Sequence, residues 1–278
     1  MRKIFKEEFI ASIKNLISQT NYFLPEDVLQ EIKNCILQET NEIAKDVLYK
    51  ILENAGISSS TKLPLCQDTG IPQFFLKIGK NICFDFNPEE VLKEITIQVY
   101  EKEKFRKSCV FDPIFRKPVS HCAAVYTEFY DEEEKCEVSL LIRGGGSENT
   151  FYTTTFLPTT DMTKIVEKII EVVLKMLPYT CPPAVVGVGI GGSVEQSLII
   201  AKKSLLRKIG ERNKNTIYAE IEKQIKKQIN LSQIGPLGLG GETSLLDVFI
   251  ETAPTHIATL PVSIILQCHS YRRGSVII

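Results

Sequence analysis

The apolar residues of this chain change their spacing after about sixty positions, and that change limits the fold more than any single motif does. Before it they recur every three or four residues in three runs: Phe5, Phe9, Ile10, Ile13, Leu16 and Ile17; then Val28, Leu29, Ile32 and Ile36; then Ile43, Val47, Leu48 and Ile51. Such spacing gathers apolar side chains on one face of a helix. Pro25 suits the first turn of the second run, and Gly56 is expected to close the third. From Gln73 to Phe86 the pattern alternates instead, which predicts two strands of a hairpin around a turn at 79–81, with Cys83 packed inside it. A helix is expected at 88–107. The runs at 121–130 and 136–143 flank an acidic turn, Asp131 to Lys135, and predict a second hairpin that places Cys122 and Cys136 on strands. Beyond the capping pair Thr160 and Asp161, a helix is expected to run to Pro178. A buried strand at 184–190, helices within 191–206 and 215–229, and strands at 246–251 and 261–267 complete the pattern. Hairpins and helices without strict alternation predict the α+β class, with mixed sheets and surrounding helices. A single domain over residues 1–278 is expected, with a helical part to about 60 and a mixed part beyond it.

The 33 basic and 34 acidic residues leave a net charge of −1, which gives no field to attract nucleic acid. No segment approaches the roughly 20 apolar residues that span a bilayer, and the charged N-terminus lacks the apolar core of a secretion signal. A cytoplasmic protein is therefore expected, and its eight cysteines are read as reduced thiols. A disulfide framework does not suit a chain this long. Cys35, Cys83, Cys109, Cys122 and Cys136 read as small buried side chains.

Cys66, Cys181 and Cys268 differ from those five because each lies in a segment unlike packing sequence: LPLCQDTG at 63–70, TCPPAVVGVGIGG at 180–192 and LQCHSYRR at 266–273. Thiolates so far apart in sequence cannot form a local metal knuckle, yet three of them converging could hold an iron–sulfur cluster and leave one iron open. The glycine clusters RGGGSEN at 143–149, which includes Gly145, and IGPLGLGG at 234–241 are too dense for helix or strand interiors. They suggest backbone amides approaching a ligand, or tight turns at sheet ends. Gly187, Gly189 and Gly192 fit the dinucleotide fingerprint spacing. The acidic residue that fingerprint wants about 20 positions on would fall near Glu211, in a polar stretch with no strand pattern.

LPLCQDTG, FRKSCVFDPIFRK, RGGGSEN, CPPAVVGVGIGG, IGPLGLGG with the TSLLD after it, and HIATLPVSIILQCHSYR together resemble, in order, the motif series of the oxygen-sensitive iron–sulfur hydro-lyases. That family holds class I fumarases and the alpha subunits of tartrate dehydratase. The resemblance implies that Cys66, Cys181 and Cys268 ligate a four-iron, four-sulfur (4Fe-4S) cluster whose fourth iron has no protein ligand. It maps a substrate-contacting pair onto Gln67 and Asp68, with Asp68 catalytic, and a carboxylate-clamping arginine onto Arg106. A catalytic, substrate-contacting histidine falls on His256. Read from the residues themselves, Arg272, four positions past Cys268, could contact a substrate carboxylate or a cluster sulfide, and Gly145 of the glycine cluster is a candidate substrate contact. Read without the family, Asp68 is a turn residue, Arg106 a solvated charge and His121 a strand residue.

The chain departs from the family pattern at 118–126, where PVSHCAAVY replaces an asparagine-rich stretch. It also ends soon after Cys268, where single-chain fumarases continue. The resemblance is thus to the two-subunit form. It implies an alpha subunit of a fumarate hydratase that needs a beta subunit, acts on a small dicarboxylate and assembles as a heterotetramer or larger. A tartrate or other hydroxy-diacid dehydratase is the alternative, and an NAD-dependent oxidoreductase a third reading.

Overall fold

The computed structural model describes residues 1–131 and 134–278. Its helices are α1 Lys6–Tyr22, α2 Glu26–Gln38, α3 Glu42–Thr61, α4 Pro88–Lys102, α5 Gly145–Glu148, α6 Met162–Met176, α7 Val194–Ser204 and α8 Thr216–Asn230. Its strands are β1 Arg2–Ile4, β2 Ile71–Gly79, β3 Ile82–Phe84, β4 Cys109–Val110, β5 Val119–Ser120, β6 Ala124–Tyr130, β7 Cys136–Arg143, β8 Phe151–Phe156, β9 Ala184–Gly191, β10 Leu245–Ala253, β11 Leu260–Gln267 and β12 Arg272–Ile277. Mixed sheets with helices around them make this an α+β protein, as expected. Two compact units form: Met1–Pro25, Ala55–Gly145 and Arg272–Ile278 make the first, Glu26–Asn54 and Gly146–Tyr271 the second.

In the first unit the sheet order is β12-β7-β2-β6. The β12/β7 and β7/β2 pairs are antiparallel and β2/β6 is parallel. Phe74, Leu76 and Ile78 of β2 and Val138, Leu140 and Ile142 of β7 join a core with Phe9, Ile13 and Ile17 of α1 and Leu92, Ile95 and Val99 of α4. Both expected hairpins are corrected here. β2 is buried over Pro72–Leu76, which suits a central strand rather than a half-exposed hairpin arm. It lies between β6 and β7, so those two strands never pair, and β3 pairs instead with β1, in parallel. Glu132 and Glu133 of the expected turn lie outside the described residues.

Two helix ends also move, and backbone conformation explains both. Residue 56 does not stop α3, which continues to Thr61 before Lys62 turns left-handed at φ 58°. α4 starts where Asn87 accepts from the amides of Glu89 and Glu90 ahead of Pro88, a cap worth about 1 kcal/mol. It ends at Lys102, short of 107, because Lys104 takes φ 56° and the Phe105 amide returns to the Tyr100 carbonyl.

The reading of all eight cysteines as reduced thiols fails at one pair. β4 and β5 form a short antiparallel ladder that sets Cys109 opposite Ser120, two residues before Cys122. The two α-carbons stand 6.0 Å apart and a Cys109–Cys122 disulfide joins them. Cys122 lies in the loop between β5 and β6, not on a strand, whereas Cys136 does begin β7.

In the second unit the order is β10-β9-β11-β8, with β10/β9 parallel and the other two pairs antiparallel. Alternate residues decide which helix covers which face. Val186, Val188 and Ile190 of β9, with Val248, Ile250, Val262 and Ile264, face α6 and α8. The opposite face carries Gly187 and Gly189, and a β-carbon on either would collide with carbonyl oxygens of α7, those of Ala201 and Ser197 respectively. The glycine spacing that fits a dinucleotide fingerprint thus lets a helix lie directly on a strand. Under α7 the hydroxyls of Ser197, Ser263 and Thr153 bond in series at 2.7 and 3.0 Å. Among the described residues no helix is long and apolar enough to cross a membrane.

Candidate active site

In the first unit the segment between α3 and β2 carries Cys66, Gln67 and Asp68, and it is fastened from several sides. The Leu65 amide donates to the Asn21 carbonyl at 2.9 Å. The buried Thr69 gives its hydroxyl to the Arg106 carbonyl at 3.1 Å, and its own carbonyl accepts from Tyr100 Oη at 2.9 Å. Burial pushes the Tyr100 hydroxyl pKa up, so it stays protonated and remains a donor. Gly70 closes the segment at φ 65°, where a β-carbon would strike the Arg143 carbonyl. No other residue type fits that position without moving β7.

Asp68 sits at the centre of this fastening. Its Oδ1 accepts from the Gly70 amide at 3.0 Å and from Ser108 Oγ at 3.3 Å, and its Oδ2 accepts from the Gly145 amide at 2.7 Å. Its carbonyl accepts from Arg272 at 2.9 Å, and the same guanidinium reaches Asn21 Oδ1 at 3.4 Å. The structure therefore brings Asp68, Gly145 and Arg272 together. Gln67 and Arg106 are exposed on the same fastened segments, with Arg106 held through its backbone carbonyl.

In the second unit Cys181 and Cys268 meet at one end of the β9/β11 ladder. Cys181 lies three residues before β9 and Cys268 one residue after β11, and the antiparallel register pairs Val185 with Gln267. His269 ties the two turns, donating from its amide at 3.4 Å and placing Nδ1 3.0 Å from the same Cys181 carbonyl. That contact assigns the proton to Nδ1 and leaves Nε2 as the bare nitrogen. Burial lowers the His269 pKa, with the Cys181 carbonyl opposing. The Cys268 amide donates to Ser147 Oγ at 3.3 Å, and the Leu237 amide of the IGPLGLGG turn donates to the Pro182 carbonyl at 2.8 Å. The glycine-rich segments thus pin the thiol segments, RGGGSEN as the short helix α5, contrary to the expectation that its glycines exclude helix, and IGPLGLGG as a tight turn.

His256 is not at this end. It lies in the turn before β11, where Thr255 Oγ1 donates to the Gly192 carbonyl at 3.0 Å. The ladder from Val185 to Ile190 places roughly 17 Å of strand between that turn and the thiol end. His256 is exposed and its Nδ1 accepts from the Ala258 amide at 3.1 Å, so in the neutral ring the proton sits on Nε2.

The eight cysteines sort by chemistry. Cys109 and Cys122 are consumed by their disulfide. Burial pushes the thiols of Cys35 and Cys136 up to about 12, which keeps them protonated and poor ligands. Cys83 hydrogen-bonds the Arg2 carbonyl at 3.6 Å on the short β3. The expected ligands are outside the first two groups: none is in a disulfide, Cys181 is exposed, and Cys66 and Cys268 are half-buried, as Cys83 is. The buried Gln267 also points Nε2 at the Cys268 sulfur at 3.8 Å, the kind of N–H contact that stabilises a ligand thiolate. On donor chemistry the three thiols fit a soft iron–sulfur centre. Among the described residues no group of three or more His, Cys, Asp or Glu side chains is gathered as a metal site.

Sequence reading missed Asn21, Tyr100, Ser108 and Gln267. Asn21 had a signal: it continues the core-facing series Phe9, Ile13, Ile17 at four-residue steps, where a polar residue needs a buried partner.

The profile of the family described as fumarate hydratase (fumerase) matches residues 10–277. A protein of Methanocaldococcus jannaschii named "Putative L(+)-tartrate dehydratase subunit alpha" is 38% identical over 273 residues, covering 94% of each chain. The L(+)-tartrate dehydratase subunit alpha of Escherichia coli K12 is 28% identical over 275 residues, 98% of this chain and 90% of that one. With the family profile spanning nearly its whole length, the chain belongs to the fumarate hydratase family and is a hydro-lyase.

Proposed function

We propose that this chain is the alpha subunit of a two-subunit fumarate hydratase, adding water across fumarate to give malate and removing it in reverse. The family match over residues 10–277 carries this reading, together with the three motif thiols, which neither burial nor the disulfide takes out of use. Cys66, Cys181 and Cys268 would hold the 4Fe-4S cluster, which when bound supplies a Lewis-acid iron for the hydroxyl that leaves or arrives.

The chain's own residues supply binding and proton handling. The guanidinium of the exposed Arg106 suits a substrate carboxylate, and the Gln67 amide can orient the other polar end. In dehydration the C–O bond breaks and the departing hydroxide takes a proton, while the neighbouring carbon loses its own. Asp68 can exchange a proton at Oδ1, because its 3.3 Å bond from Ser108 is the longest of the three that hold the carboxylate. Gly145 acts through its amide, which fixes Oδ2. His256 offers an Nε2–H donor at the far end of the β9/β11 ladder, away from the thiols of its own chain. A beta chain would add carboxylate contacts and the carbon-deprotonating base, within a heterotetramer or larger assembly.

The names of the relatives favour a second reading, in which the substrate is L(+)-tartrate. Co-expression with the candidate beta chain, anaerobic loading with iron and sulfide, and assays of both substrates separate the two. The first reading requires fumarate hydration to exceed tartrate dehydration. The reverse ratio establishes the second, and activity on neither refutes both.

A further inference from the structure

Arg272 and Asn21 are both buried to about 1% exposure or less, and they are joined to the same loop. Asn21 sits in the last turn of α1. Its carbonyl accepts from the Leu65 amide at 2.9 Å, and its Nδ2 is anchored on the Ile17 carbonyl at 3.0 Å. Its Oδ1 accepts from Arg272 at 3.4 Å, and Arg272 in turn donates to the Asp68 carbonyl at 2.9 Å. The two residues therefore grip the loop on either side of Cys66 and Gln67, one at Leu65 and the other at Asp68. A guanidinium that clamps a substrate carboxylate needs donors open to the site. This one is shut off from solvent, and two of its nitrogens are already committed to oxygens of the fold.

We propose that Asn21 and Arg272 form a buried strut that positions the Cys66–Asp68 loop, with Arg272 a positioning residue rather than a substrate contact. The functional consequence rests on the hydro-lyase reading; the mechanical one does not. Fixing both flanks sets the direction of the Cys66 thiol and the Asp68 carboxylate before any ligand arrives. The coupling runs through the side chain of Asn21, so losing that residue should reproduce the loss of Arg272.

The test uses the full chain with Asn21→Ala, Asn21→Asp and Arg272→Lys. Asn21→Asp keeps the oxygen that Arg272 bonds, whereas lysine lacks the fork that reaches both partners. Hydrogen–deuterium exchange of residues 63–70 in the apo chain is read first. A strut predicts about tenfold faster exchange in Asn21→Ala and in Arg272→Lys, with Asn21→Asp close to wild type. Exchange unchanged in both overturns the proposal. Should Asn21→Ala fail to fold, Asn21→Ser serves in its place, with the same expectation.

Turnover with the beta chain is read second. The strut predicts that kcat falls in both disruptive variants while KM stays within about twofold, with less iron retained. A substrate clamp would instead raise KM in Arg272→Lys alone and leave Asn21→Ala silent, which also overturns the proposal. A wild-type complex with no hydro-lyase activity would sink the function proposed above, while the exchange result would still decide on the strut.

Discussion

Two glycines show how differently one residue type can act in this chain. Gly189 lies under α7, and its α-carbon hydrogen is all that fits against Ser197. Gly56 is inside α3, with no atom of the described residues within 4 Å of where its side chain would begin. Gly189→Ala should therefore lower the unfolding free energy by about 1–3 kcal/mol, through a collision with backbone. Gly56→Ala should raise it by roughly 0.5–1 kcal/mol, through helix propensity alone. Thermal unfolding of both variants checks the pair, and a shift in the same direction for both contradicts the packing described. His121 offers a pH test. It is buried against Tyr100, with no hydrogen-bond partner for either ring nitrogen among the described residues, and burial, aided by Lys107, lowers its pKa. The unfolded chain therefore binds a proton that the folded chain resists, so stability falls as pH drops below about 6.5. The slope is at most about 1.4 kcal/mol per pH unit for such a group. His121→Phe should flatten that fall in denaturant titrations between pH 7.5 and 5.5, and an unchanged profile would show that His121 does not contribute to it.

At the scale of elements, helices were more legible than sheet neighbours. A helix declares itself locally: the caps at Asn87, Asp161 and Ser193 and the runs behind them put α4, α6 and α7 close to where the spacing predicts. Strand pairing depends on distant partners. Nothing near residues 71–79 says that β2 is central, and so the two apparent hairpins dissolve once β6 and β7 take its edges. The β4–β5 ladder is two residues a side, too short for any periodic signal, yet it places Cys109 within bonding reach of Cys122. That disulfide closes a loop of sequence separation 13, for which loop-entropy arguments give about 3 kcal/mol. Replacing both cysteines by serine should lower stability by about that amount in denaturant unfolding. Mass spectrometry after alkylation without reductant should find six reactive thiols in the denatured wild type, the count outside the disulfide. Eight would remove the bridge.

Across the whole chain, the site was legible where chemistry is carried by residue type and illegible where it is carried by contact. Cys66, Cys181 and Cys268 stood out from their sequence surroundings, and the structure separates them chemically from four of the other five, Cys83 being free and half-buried like Cys66 and Cys268. The grip of Asn21 and Arg272 on the loop, and the amide of Gln267 beside Cys268, exist only once distant segments are folded together within their units. His256 reads convincingly as a site residue in sequence, yet the β9/β11 register sets it at the other end of the ladder from Cys181 and Cys268. The thiols remain the centre of the account, and metal content tests them most directly. Anaerobically reconstituted wild-type chain should hold roughly four iron and four sulfide per molecule, with broad visible absorbance. Cys66→Ser, Cys181→Ser and Cys268→Ser should each lose most of that iron and colour, while Cys83→Ser keeps them. Iron retained at the wild-type level in all three ligand variants would contradict the account.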